Sequence, residues 1–279
     1  MSGNQRKARL MTEMTVKDMN DALQETKTFI LGIGGTEQHG WHLPLSTDVL
    51  IAEYLCRRVS EQTGCVVPPV LNYSHSYGTL LGTTNISYWT IRALIVEIVH
   101  SLLGQGFRKA IVFPVHLEIS TFHAAEDAVR ICQNNTRDAT VVCYADWAPG
   151  EEAKAVKLPE PDGHAGAGET SYMLHVAPEK VRADRPWDTA ERWWLDNAGR
   201  IHGAPEWWTK DRPALRRMDP DLFMQKIEDV RQEGGYPPIK YGVFGDANQA
   251  TAEAGKTLLE SYVTRVVEFV RKVEAGAIP

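Results

Sequence analysis

A chain of 279 residues, 43% of them hydrophobic, is long enough to bury a full core by itself, so a single domain spanning residues 1–279 is the expectation. The formal net charge of −6, without a basic stripe or a long acidic run, argues against nucleic acid and anionic membranes as partners. Cys56, Cys65, Cys132 and Cys143 fit no zinc-finger or redox-dithiol spacing, no apolar run is long enough to span a bilayer, and the N-terminal stretch lacks the apolar core of a signal peptide, so the expected setting is the cytoplasm.

Residues 28–33 (TFILGI) read as a buried strand running into a loop at Gly34 and Gly35. Ser46 or Thr47 can cap a helix through DVLIAEYLCRRVSEQ, with Val49, Ile51, Leu55 and Val59 on one stripe, and CVVPPVL follows as a second strand. Residues 90–105 carry Ile91, Leu94, Ile95, Ile98, Val99, Leu102 and Leu103 at helical spacing, ended by Gly104 and Gly106. KAIVFPV is a third strand, EISTFHAAEDAVRICQN a helix and ATVVCYA a fourth strand. Such alternation predicts right-handed crossovers and a mainly parallel sheet covered on both faces, an α/β three-layer α/β/α sandwich.

Past Gly150 the rhythm weakens, apart from a helix over about residues 169–177. An excursion at about 183–240 holds Trp187, Trp193, Trp194, Trp207 and Trp208, five of the eight tryptophans, expected to pack on the sheet domain or a neighbouring subunit, with a lid over a flat ligand as the alternative. A last helix over roughly residues 248–273 presents Leu258, Leu259, Val263, Val266, Val267 and Val270.

Two clusters carry chemistry. GGTEQHGWHLPLSTD, residues 34–48, sets Glu37 and His39 two apart, where extended backbone turns both to one side, and then offers Asp48, which on its own would equally suit a helix dipole. PVHLEIS, residues 114–120, repeats that spacing in His116 and Glu118 at the end of the third strand. Two imidazoles and three carboxylates from neighbouring strand ends suit two Zn²⁺ or Mn²⁺ ions sharing a hydroxide, with Asp48 bridging; the lack of thiolates argues against a structural zinc or iron-sulfur site.

Glu37-Gln38-His39-Gly40, then His42-Leu43-Pro44 and Thr47-Asp48, resemble the EQHG, HLP and TD signature of the creatininase family. Gly82-Thr83-Thr84, His116-x-Glu118, His164-Ala165-Gly166 with Glu169-Thr170-Ser171, Gly242-Val243-Phe244-Gly245-Asp246, and Ala250-Thr251-Ala252-Glu253-x-Gly255 are similar to further motifs of that family and stand in its order over residues 29–260. The resemblance implies an α/β domain assembled as a homo-oligomer, usually a hexamer, with a binuclear Zn or Mn centre that hydrolyses a cyclic amide or related bond of a small molecule. It implies Glu37 and His116 on one ion, His39 and Glu118 on the other, and Asp48 between them. His164 becomes the candidate proton carrier, and Glu169 a helix-start acid supporting the catalytic group. His75 and Leu117 stand as substrate contacts.

Pro114-Val115 replaces the family's common Asn-Gly, Leu117 a tyrosine, and Glu160-Pro161-Asp162-Gly163 a stretch with Trp and Glu, so creatinine itself is not the expected substrate. The leading expectation is hydrolysis of a carbon–nitrogen bond in a small cyclic or formylated amide. Hydrolytic carbon–carbon ring opening of an oxidised cyclic polyol, such as 3-dehydro-scyllo-inosose, is the second, and a non-catalytic metal-binding homologue the third.

Overall fold

The computed structural model describes residues 6–76, 81–144, 146, 150–159, 162–184, 194–195, 201–202, 242–243 and 245–278. Its sheet is built from β1 (Arg9–Leu10), β2 (Thr28–Ile33), β3 (Val66–Val67), β4 (Lys109–Pro114) and β5 (Thr140–Cys143) in the order β1-β3-β2-β4-β5. Every pairing in this sheet is parallel. Around it lie α1 (Val16–Glu25), α2 (Thr47–Thr63), α3 (Tyr88–Gly104), α4 (Ile119–Asn135), α5 (Ala167–Val176) and α6 (Ala252–Glu274).

The strands are short apolar runs buried on both faces, as a parallel sheet between helices requires. Alternate residues sort into two cores: Ile30, Ile111, Phe113 and Val142 pack with α2, α5 and α6, whereas Phe29, Leu31, Val112 and Val141 pack with α1, α3 and α4. The expected three-layer α/β/α arrangement is therefore present. The stripes anticipated on α2, α3 and α6 are buried at Ile51, Leu55 and Val59, at Ile91, Ile95 and Val99, and at Leu258, Leu259, Val263, Val266, Val267 and Val270.

Three boundaries differ from expectation. The run CVVPPVL forms only two residues of strand, extended by a single bridge between Ile33 and Leu71, because its two prolines cannot donate to a ladder. β4 stops at Pro114, so His116 and Glu118 follow the strand instead of lying in it. The polar N-terminal stretch holds β1 and α1, the latter closed by a capping box between Thr15 and Asp18. The tryptophan-rich excursion lies outside the described residues except for residues 183–184 and an antiparallel pair, β6 (Trp194–Leu195) with β7 (Ile201–His202).

The sheet order places the site. From β2 the chain crosses through α2 to β3 on one side, then through α3 on the opposite face to β4 on the other side of β2. Winding reverses between β2 and β4, and the crevice at the carboxyl ends of such a strand pair is where open α/β sheets bind ligands.

Candidate metal centre

The loops leaving β2 and β4 open into that crevice. Hydrogen bonds from Val115 N (2.8 Å) and His116 N (3.1 Å) to the Ile33 carbonyl hold the two strand ends together beyond the ladder. Two glycines then bring the β2 loop against its neighbours. A Cβ on Gly34 would lie 2.7 Å from Val49 Cα at the start of α2, and one on Gly35 would meet Ser74 Oγ at 2.7 Å and Asp48 Oδ2 at 3.3 Å. Any side chain at position 35 would project into the space between these carboxylates and imidazoles.

His116 donates from Nε2 to the His75 carbonyl at 2.9 Å, with Ser76 Oγ at 3.2 Å, which leaves Nδ1 turned to Asp48 Oδ2 at 2.8 Å and Glu37 Oε2 at 3.5 Å. His39 mirrors it. Its Nδ1 donates to the Glu37 carbonyl at 3.1 Å, and its Nε2 faces Asp48 Oδ1 at 3.4 Å and Glu169 Oε2 at 3.3 Å. These two contacts are electrostatic only: His39 is fully buried and its Nε2 has no hydrogen-bond partner. Three groups of potential ligands result among the described residues: Glu37 with Asp48 and His116, His39 with Asp48 and Glu169, and Glu37 with His39 and His164; Asp48 turns one oxygen to His116 and the other to His39.

Charge explains why such a pocket calls for cations. Burial pushes the Asp48 carboxyl up, but the His39 and His116 imidazoles more than offset it and hold Asp48 ionised well below the usual range. Burial likewise opposes charge on the imidazoles, yet Asp48 and Glu37 lift His116 to about 10, and Asp48 and Glu169 lift His39 well above its ordinary value. The carboxylates demand positive charge, which protons on two imidazoles supply when no cation does. Metal ions compete for the same nitrogen lone pairs. The donor set, imidazole nitrogen and carboxylate oxygen without thiolate, fits Zn²⁺ or Mn²⁺.

Of the expected site residues, Glu37, His39, Asp48 and His116 come together. Glu118 joins none of these groups: as N-cap of α4 its Oε2 accepts from Ser120 N (2.7 Å) and Thr121 N (3.0 Å), while Oε1 is buried without a hydrogen-bond partner. Glu169, expected as a helix-start acid, is in the first turn of α5, accepts the Ala165 N–H at 2.6 Å and also occupies the position beside His39. His164 packs against His39 with ring centroids 4.4 Å apart and the ring planes tilted by 42°. The His75 ring is buried with Nδ1 on the Ile86 carbonyl at 3.2 Å, and its backbone carbonyl accepts from His116 Nε2, while Leu117 is 59% exposed. Sequence reading overlooked the left-handed backbone of Ala165 (φ +52°) in the His-Ala-Gly turn.

The family profile described as creatininase, creatinine amidohydrolase, matches residues 12–270. The chain belongs to the creatininase family. Creatinine amidohydrolase of Pseudomonas putida is 29% identical over 173 residues, a match covering 56% of this chain and 66% of that relative, just under two thirds of its length. A mycofactocin precursor peptide peptidase of Mycobacterium ulcerans is 29% identical over 261 residues, covering 89% of this chain and 86% of the relative. Among solved structures, one titled "Creatininase Mn" superposes with a TM-score of 0.68 at 21% identity, covering 95% of this chain and 98% of that one, which establishes the creatininase fold.

Proposed function

We propose that this creatininase-family chain is a metal-dependent hydrolase that cleaves the carbon–nitrogen bond of a small cyclic or formylated amide at a centre of two divalent ions, Zn and/or Mn. The observation that carries this reading is the shared Asp48, whose two oxygens face a ring nitrogen of His116 and of His39, the latter buried and lacking a hydrogen bond. Glu37, Asp48 and His116 would hold one ion, and His39, Asp48 and Glu169 the other. Glu169 thus takes the place that the family resemblance assigned to Glu118. Ions bound there would acidify a water and polarise a carbonyl oxygen.

The chain's own groups do the rest. Backbone carbonyls of Glu37 and His75 fix the two imidazoles so that their free nitrogens point inward. His164, its side chain 21% exposed and its ring against His39, carries a proton to the departing nitrogen. Glu118, tied to the start of α4, keeps a carboxylate beside His116. His75 and Leu117 stand near where a substrate would enter.

The names of both relatives above support the amide reading, while a 3-dehydro-scyllo-inosose hydrolase of Thermotoga maritima, 26% identical over 286 residues and 95% of this chain, supports the cyclic polyol as the second reading. No helix among the described residues is long and apolar enough to cross a membrane. We take the chain to be one catalytic unit that works in the cytoplasm on a small molecule as a homo-oligomer, a hexamer by family resemblance. A panel of lactams, imides, N-formyl compounds and cyclic keto-polyols tests the reaction class. Release of ammonia or an amine is expected, and a new carboxylate without nitrogen release would contradict the amide reading.

A further inference from the structure

Gln38 stands between two proposed ligands, Glu37 and His39. It is only 4% exposed and is held at both ends: its backbone N–H donates to Thr83 Oγ1 at 3.1 Å, and its side-chain Oε1 accepts from Gly40 N at 3.1 Å. So fixed, it turns its carbonyl oxygen and its carboxamide nitrogen toward one atom on a distant segment, His164 Nε2, at 2.7 and 3.0 Å. A carbonyl oxygen can only accept and a carboxamide nitrogen can only donate, so the two contacts cannot both be hydrogen bonds to one neutral ring nitrogen; the shorter, at 2.7 Å, assigns the hydrogen to Nε2 and leaves the carboxamide contact a packing contact. The opposite nitrogen, Nδ1, is then the one on the cluster side, 3.8 Å from Glu37 Oε2.

We propose that Gln38 is the positioning residue of His164: it anchors the Nε2–H edge of the imidazole on its own carbonyl and so directs the Nδ1 edge at the reacting groups. Thr83, by accepting the Gln38 N–H, holds the backbone of Gln38 on its N-terminal side, which gives the Gly82-Thr83-Thr84 segment a part in the site. The inference rests on reading His164 as the proton carrier, and its test is separable from that reading.

In ¹⁵N-labelled protein loaded with zinc, long-range proton–nitrogen spectra should show His164 as a single Nε2–H tautomer. Gln38→Ala should keep its full metal content but show both tautomers, lower turnover of the substrate found in the panel about tenfold at unchanged KM, and cause no further loss when combined with His164→Ala. If Gln38→Ala does not fold, Thr83→Val should produce the same mixing of tautomers. The inference is overturned by an Nδ1–H tautomer in the wild type, by a nitrogen–metal coupling to His164 in cadmium-loaded protein, by loss of metal from Gln38→Ala, or by an equal loss of turnover in the His164→Ala background. Full turnover by His164→Ala would instead remove the proton-carrier reading, leaving the tautomer result to be judged separately.

Discussion

His39 and His116 each commit one ring nitrogen to a backbone carbonyl and present the other to two carboxylates, an arrangement that makes neutral imidazole a directed metal ligand. Glu118 and Glu169 are the discriminating pair. Each has one oxygen bonded to backbone N–H groups, Glu118 Oε2 to Ser120 and Thr121 and Glu169 Oε2 to Ala165, but only Glu169 is within ligand reach of the others, its Oε2 lying 3.3 Å from the bare nitrogen of His39. Glu169→Gln should therefore bind one ion fewer than the wild type, and Glu118→Gln should bind both, as read by elemental analysis after gel filtration; equal occupancy in the two variants would contradict the assignment. The alternate-residue spacing of Glu37 and His39, on one loop leaving β2, brings both side chains into the cluster, where they stand as proposed ligands. In His116 and Glu118 the same spacing falls beyond β4, which ends at Pro114, and the start of α4 takes one oxygen of the carboxylate. Nothing in the local sequence around Glu169 tells that α5 docks its first turn on His39.

Docking of helices explains a second feature that sequence shows without its reason. Gly255 lies inside α6, where alanine would favour helix by about 1 kcal/mol. A Cβ there, however, would run into the Ser171 carbonyl of α5, the helix that carries Glu169. Overpacking of this kind costs about 1–3 kcal/mol, so it outweighs the propensity, and Gly255→Ala should lower the thermal midpoint in a calorimetric scan where propensity alone predicts a rise. The outer face of the same contact is tied by Glu260, which accepts from Tyr54 Oη (2.7 Å) and from Arg58 Nε and Nη2 (both 3.0 Å) on α2, while Tyr54 meets His175 of α5 at 3.0 Å. Burial pushes the Glu260 carboxyl up, and Arg58 and Tyr54 more than offset it, leaving it below the ordinary Glu value of 4.5. A depressed carboxylate contributes stability above its unfolded pKa and loses it as pH falls through the folded one. Wild type should thus lose more stability than Glu260→Gln in urea titrations below about pH 4.5, with a difference of about 1 kcal/mol at neutral pH, and parallel pH curves would contradict this. Periodicity made α2, α3 and α6 legible to their buried positions. It missed α1, whose Thr15–Asp18 capping box was the available signal.

For the whole molecule, strand–helix alternation sufficed to predict a parallel three-layer sandwich, but not that the winding reverses between β2 and β4. That reversal is what unites loops 68 residues apart in sequence, as the His116–Asp48 contact shows. The role expected of the tryptophan-rich excursion falls outside the described residues and stays an expectation. At this scale the account reduces to one buried carboxylate serving two cations. Metal content of purified wild type and of Asp48→Asn, measured by native mass spectrometry after loading with zinc or manganese, tests it most directly. Two ions per wild-type chain and none retained by Asp48→Asn are predicted; two ions held by Asp48→Asn would contradict it.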